Sequence, residues 1–219
     1  MRDLGLDEAI HVAGSAVALR PPLSLADDNA REIEQARAQE YALLSLLLAR
    51  APDAALLDRL AHLRGDATPL GLAHAALSEA ASLSNVAQVE REYFDLFIGV
   101  GRGELLPYGS YYLTGFLHER PLARLRAHLV RLGIERSQGI AEPEDHAAIL
   151  FEIMAGMISG QFSVAAGSDR EFFEQHLAPW IAQFFRDLEA AQHADFYRHV
   201  GALGRLFIEI EKEAFALPA

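Results

Sequence analysis

The stretch Glu90–Leu113, EREYFDLFIGVGRGELLPYGSYYL, limits what this chain can fold into more than any other. Its first part is helical by pattern: Val86, Val89, Tyr93, Leu96 and Phe97 fall at i, i+3, i+7, i+10 and i+11, one apolar stripe, with Arg91, Glu92 and Asp95 off it. Gly99, Gly101 and Gly103 then follow within five residues, and Pro107 and Gly109 come soon after. Glycine accepts positive φ values that other residues resist, and proline fixes φ and removes a donor. The helix must stop near Ile98 and the backbone must turn, with Gly99 or Gly101 at positive φ. Past Gly109, Ser110 is placed to cap a short helix carrying Tyr111, Tyr112, Leu113, Phe116 and Leu117. Tyrosines crowded on a glycine-rich turn, Tyr108 and Tyr112 among them, offer apolar bodies with hydrogen-bonding tips, a surface suited to gripping peptide.

The glycines do not make a nucleotide loop. A dinucleotide fingerprint needs G-x-G-x-x-G between strand and helix, and a phosphate loop ends in Gly-Lys-Ser/Thr. Here the glycines follow a helix, and Glu104 would face the phosphate.

The rest of the chain reads as helix after helix. Asp7–Leu19 is a short helix that Pro21 and Pro22 end, and residues 1–27 as a whole are a helix or strap. A long helix covers about Asp28–Arg50, with Ile33, Tyr41, Leu44, Leu47 and Leu48 as its stripe. Shorter ones follow over Asp53–Leu63, from Thr68-Pro69 to about Ser82, and from Ser84 into the central stretch. Leu122, Leu125, Leu129 and Leu132 form a stripe ended by Gly133. A connecting loop spans 134–141, and Glu142-Pro143-Glu144-Asp145-His146 opens a helix running to about Ala166. Ser168-x-x-Glu171 reads as a capping box, Pro179 interrupts the following helix, and the last runs from about Ala194 to Phe215. No segment alternates with period two, and no repeat of fixed period is present. The expected fold is all-α: one helical domain of nine or ten helices.

Composition narrows the function. A chain of 219 residues with a formal charge of −12 is a poor binder of nucleic acid or anionic membrane and favours a basic partner. With no cysteine there is no disulfide, thiolate metal site or cysteine nucleophile. No apolar run reaches the ~18 residues of a membrane span, and Asp3, Asp7 and Glu8 stand where an export signal would carry basic residues. No stable membrane insertion and a cytoplasmic location are expected.

Catalytic and metal chemistry find little support. Glu8-x-x-His11 is a single E-x-x-H, whereas a di-iron bundle needs two plus further glutamates. Asp195 and His199 lack a third ligand at metal spacing, and Ser110 lacks the strand of a nucleophile elbow. Trp180, the sole tryptophan, fits a core. Glu142–His146 has two readings. First-turn acids oppose the positive end of a helix. An exposed Asp145–His146 pair, with His146 orienting Asp145, could instead accept a guanidinium fork at the mouth of a groove shared with the 99–112 turn.

Two separated motifs resemble one family. Tyr93-x-x-Leu96-Phe97-x-Gly99, then Leu106-Pro107-Tyr108-x-Ser110-x-Tyr112-Leu113, and then Glu142-Pro143-x-Asp145-His146 are similar to the TorD/DmsD chaperones of twin-arginine-exported molybdoenzymes. The resemblance runs from about Tyr41 to Phe215. It implies a larger helical part (28–133) and a C-terminal part (142–219) joined by a hinge loop at 134–141, and a non-enzymatic protein without catalytic residues, metal or cofactor of its own. Its partners would be the twin-arginine leader peptide and the immature catalytic subunit, held until the molybdopterin cofactor is inserted. Tyr93, Phe97, Gly99, Pro107, Tyr108, Ser110, Tyr112, Glu142, Asp145 and His146 are the site residues it implies. The chain departs from the family pattern at Val100, where Gly-Pro is usual, and at Gly109, where glutamate is usual. A homodimer formed by exchanging helices through 134–141 is open to such a chain. The alternative is a small helical metal-dependent or nucleotide-hydrolysing enzyme using His and carboxylate side chains of the same cleft.

Overall fold

The computed structural model describes residues 25–135 and 142–217. The Asp7–Leu19 helix, the strap before Leu25, the Glu8–His11 pair and most of the 134–141 hinge lie outside them. Among the described residues the chain is all-α, with no strand and ten α-helices: α1 Leu25–Ala49, α2 Ala54–Ala61, α3 Pro69–Leu83, α4 Val86–Tyr93, α5 Gly109–Thr114, α6 Arg120–Leu132, α7 Ala147–Ile158, α8 Ser168–Phe172, α9 Ile181–Ala190 and α10 Phe196–Ala216.

The starts follow local chemistry. Asp53, Thr68 and Asn85 cap α2, α3 and α4 by accepting the backbone N–H groups of Leu56, Gly71 and Gln88. Gly133, at φ 69°, closes α6. α4 and α8 each continue into one π-helical turn, Phe94–Ile98 and Phe173–Leu177, where Gly99 N–H reaches the Phe94 carbonyl (2.7 Å) and Ala178 N–H reaches that of Phe173 (2.8 Å).

α7 is buried almost all round and runs along α1, while α10 packs against α9 and α3. Between them lies the aromatic core of Tyr41, Phe151, Phe184, Phe185 and Phe207. One buried ion pair fastens α1 to α10. Arg37 donates from Nε and Nη2 to the two carboxylate oxygens of Glu211, at 2.8 Å each, and Tyr41 Oη donates to Glu211 at 2.9 Å. Glu211 is 1% exposed, and its charge more than offsets the burial of Arg37, holding the guanidinium protonated.

Several sequence expectations are corrected. Ile33 is half exposed rather than core, because α1 reaches past the body at its N-terminal end. Glu142–Asp145 is not the first turn of a helix. His146 N–H bonds back to the Pro143 carbonyl, and α7 starts only at Ala147 with His146 as its cap. That helix stops at Ile158, ahead of Gly160 at φ 76°, well short of Ala166. Ser168 makes no capping box: Gly167, at φ 82°, stands in the cap position and Ser168 is the first helical residue.

The central turn behaves as its glycines require. Gly99 and Gly101 both take positive φ, 62° and 89°. A Cβ on Gly99 would lie 2.0 Å from the Arg102 carbonyl oxygen, so the turn closes only without a side chain there. Leu96 is fully buried and Phe97 nearly so. Leu96→Ala should therefore destabilise the fold by about 2–5 kcal/mol, the usual range for emptying a packed leucine site. Gly99→Val should also destabilise it, through backbone strain rather than a cavity. Urea unfolding followed by circular dichroism checks both, and an unmoved Leu96→Ala midpoint would contradict the packing assignment.

Candidate functional site

The two motifs of the sequence meet through their backbones. After Glu104 and Leu105 bond back to the Asp95 and Leu96 carbonyls, the chain runs extended through Pro107. There it pairs with the segment entering α7: Gly109 N–H donates to the Asp145 carbonyl (2.9 Å) and Ala147 N–H to the Pro107 carbonyl (2.8 Å), a single antiparallel bridge between Tyr108 and His146. The rings of Tyr108 and His146 meet edge to face at 5.0 Å. Tyr108 Oη donates to the exposed carboxylate of Glu142 at 2.5 Å. Burial, then that carboxylate, hold the phenol well above its ordinary pKa.

Asp145 sits at the centre. Its Oδ2 accepts the backbone N–H of Ser110 at 2.7 Å, satisfying a first-turn donor of α5 from 35 residues away, where Tyr108 in the cap position offers no side-chain bond. Its Oδ1 is buried with no hydrogen-bond partner, and so is Ser110 Oγ. These are two of the three such side-chain atoms among the described residues, so unmet polar capacity is concentrated here. Asp145 forms part of the wall of a cavity of about 560 Å³, together with Gly109, Leu113, Pro121, Arg124 and His176. A buried carboxylate oxygen without a donor, on a residue that also walls an open space, suits a cationic or multiply donating ligand.

The expected exposed Asp145–His146 pair is not found. Asp145 is 3% and His146 7% exposed. His146 does not orient Asp145: its Nδ1 accepts the N–H of Ala148 at 3.1 Å as the α7 cap. Both side chains are drawn inward because the bridge to 107–109 fixes their backbone against the core. The Gly99–Gly103 turn is not part of this cavity's lining, so the expected shared groove reduces to the 107–114 side.

The remaining expected site residues divide plainly. Pro107, Tyr108, Ser110 and Glu142 join Asp145 and His146. Tyr93 and Phe97 belong to an aromatic cluster with Tyr197, and Tyr93 Oη donates to the Leu48 carbonyl. Gly99 shapes the turn. Tyr112 faces away from Glu142, donating to Asp187 (3.0 Å) and packing on Trp180, which is 2% exposed and is core as expected. Trp180 also accounts for Gly109, since a Cβ there would stand 3.1 Å from the indole Nε1.

Sequence reasoning missed the far wall: Arg124 and Leu125 from α6, and Gln175, His176 and Pro179 from the π turn and its exit. No spacing signal joins those positions to 109 and 145. His176 Nε2 lies 2.9 Å from His128 Nδ1 on α6, one ring donating to the other. Burial pushes His176 down to about 4 and lowers His128 as well. Among the described residues no group of three or more His, Asp or Glu side chains is placed to hold a metal, including the Asp195–His199 region.

The nitrate reductase delta subunit family model matches residues 63–186, more than half of the chain. The chain belongs to this family, that of the TorD-like chaperones. It is 31% identical over 137 residues to the chaperone protein TorD of Vibrio cholerae, an alignment covering 58% of this chain and 62% of that one. It is 25% identical over 203 residues to TorD of Shewanella loihica, covering 82% and 93%. The chain thus spans under two thirds of the Vibrio relatives it matches. A crystal structure of an Archaeoglobus fulgidus protein assigned to redox enzyme maturation shares the fold, at a TM-score of 0.50 and 18% identity, covering 88% of this chain and 99% of that one. No helix among the described residues is long and apolar enough to cross a membrane.

Burial pushes the His146 imidazole down to about 4 against a nearby Glu142 and Asp145. Neutral His146 is therefore the folded form. Its contribution is complete above the unfolded value near 6.5 and is lost as pH falls through that value toward 4, on the order of 3 kcal/mol. His146→Asn keeps a good capping side chain without the titration. Urea midpoints at pH 7 and pH 4.5 should differ less in the variant than in the wild type.

Proposed function

We propose that this protein is a cytoplasmic chaperone that binds the twin-arginine leader and the immature catalytic subunit of a molybdoenzyme until cofactor insertion. The observation that carries the reading is the buried, unpartnered Oδ1 of Asp145, a residue that also forms part of the wall of the cavity beside α6. A leader arginine supplies what that oxygen lacks. Charge-assisted bonds from a planar guanidinium are directional and stronger than neutral ones. Glu142, exposed and bonded to Tyr108, is available to a second cation outside the cavity. Leu113, Phe116 and Leu117, 43%, 69% and 38% exposed, give an apolar rim for the hydrophobic segment after the arginines. The overall charge of −12 steers a basic leader toward the protein. Named TorD relatives and a redox enzyme maturation fold support the same assignment. The hinge at 134–141 and helix exchange into a homodimer belong to this reading as ways of presenting the site twice.

The test is calorimetric titration of a twin-arginine leader peptide and its twin-lysine version into wild type and Asp145→Asn. The amide retains an acceptor for Ser110 N–H, so the fold should persist while the charge is gone. Wild type should prefer the arginine peptide, because lysine keeps the charge but not the fork, and the variant should bind both weakly and alike. Higher salt should weaken wild-type binding only partly, since screening over about 8 Å leaves apolar burial intact. Equal affinity in all four combinations would remove Asp145 from the site.

A further inference from the structure

α6 forms one wall of the Asp145 cavity through Pro121, Arg124 and Leu125. On its other side Leu129, Val130 and Ile134 line a second space of about 500 Å³, closed by Ile149, Ile153 and Phe162. With an open cleft along each flank, α6 is held to the body only along the seam between the two. Its anchors are the buried Leu122, Leu125 and Leu129, the His128–His176 bond, and an ion pair from Arg126 to Glu144 at 2.8 Å. Among the described residues, the backbone bonds outside the helix ladder that involve α6 stay within its own end turns.

The approach to α6 has the form of a hinge. Residues 114–119 are all exposed, Gly115 has φ 81°, and His118 has φ 61°, the one non-glycine at positive φ among the described residues. A histidine held in the left-handed region is strained, and strain beside a ligand site is a common signature of a moving part.

We propose that α6 is a hinged cover over Asp145, which swings about residues 114–119 to admit a ligand cation and recloses on it. The inference rests on the reading of Asp145 as a cation acceptor but is separately testable. The closed cover accounts for a functional carboxylate that is 3% exposed. Its inward side carries apolar residues and His128; Arg120, Arg126 and Arg131 are exposed away from the cavity, and Arg124 stands in the cavity wall. Opening therefore carries the Arg124 guanidinium away from Asp145.

Hydrogen exchange on the full chain without ligand is the first measurement. The α6 amides should exchange at least 100-fold faster than those of the middle of α7, by an opening less sensitive to urea than global unfolding. The absence of native cysteine permits the second. In Arg126→Cys/Glu144→Cys, joined by a short bis-maleimide, the fast α6 exchange should disappear, and the association rate of a twin-arginine leader should fall at least tenfold relative to the unjoined variant. The melting temperature should not drop on joining. Two results would overturn the cover: α6 amides as slow as those of α7, or a leader association rate indifferent to joining. If joining stops the α6 opening and yet neither form binds leader, the moving helix stands and the leader assignment falls.

Discussion

Two backbone hydrogen bonds, from Gly109 N–H to the Asp145 carbonyl and from Ala147 N–H to the Pro107 carbonyl, hold the rest of the site together. Everything that distinguishes the site from an ordinary helical core follows from them. They fix Asp145 beneath α5, which places Oδ2 on Ser110 N–H. They carry His146 into the cap position of α7, where its ring packs on Tyr108. Proline at 107 suits the arrangement because it needs to supply only an acceptor at that point. The glycine-rich turn upstream serves the same end: it reverses the chain out of the π turn so that 104–107 can run back toward α7. The pairing is small, but each bond lies at a place where two helices begin.

Among the described residues three carboxylates satisfy helix or turn N–H groups from distant segments, and comparing them shows what sets Asp145 apart. Glu92 accepts three backbone donors at the start of α10, from Asp195, Phe196 and Tyr197. Glu104 accepts from Gln192 and His193, with the His193 ring also bonded to it. Both use both of their oxygens, and their work is structural. Burial still raises Glu92 above the usual carboxylate range despite its three donors, so desolvation outweighs those bonds. Asp145 has the same architecture with one oxygen left over. A structural cap has no use for a buried, donorless oxygen, which carries a desolvation penalty. Glu40 Oε1 shares that state away from the cavity, so the proposed role of Asp145 rests on its donorless oxygen together with its place in the cavity wall.

Much of this fold was legible in the sequence, and the exceptions have physical causes. The helix stripes identified α1–α3, α6 and α10 because amphipathic period and local caps act over a few residues. Gly99 and Gly101 were readable as positive-φ positions because turning out of a helix leaves few other choices. Glu142–Asp145 was misread as a first helical turn, since a proline flanked by acids is the common start signal. What overrode it was the cross-chain pairing to 107–109, which no local pattern encodes. The same holds for the site. Its near wall, 107–110 and 142–146, was legible as two motifs. Arg124, Leu125 and His176 on the far wall were not, because only tertiary packing brings α6 and the second π turn to Asp145.

The depth of Asp145 bears on selectivity. An exposed carboxylate on a chain of charge −12 would attract any cation, and water would screen away the difference between ammonium and guanidinium. A buried oxygen imposes a desolvation cost on whatever enters, and only a ligand that satisfies its own donors recovers it. A lysine ammonium brings three donors and a tightly held hydration shell to one free acceptor, so entry leaves donors unpaired. A guanidinium is more weakly hydrated, and its flat apolar faces can lie against Leu113, Pro121 and Leu125 while its edge meets Asp145. On the proposed reading, the long-range field brings basic segments to the surface without choosing among them, and the burial of a single oxygen does the choosing. The cost of that arrangement is access, which, on the proposed reading, would place the remaining control of binding in the helix beside it.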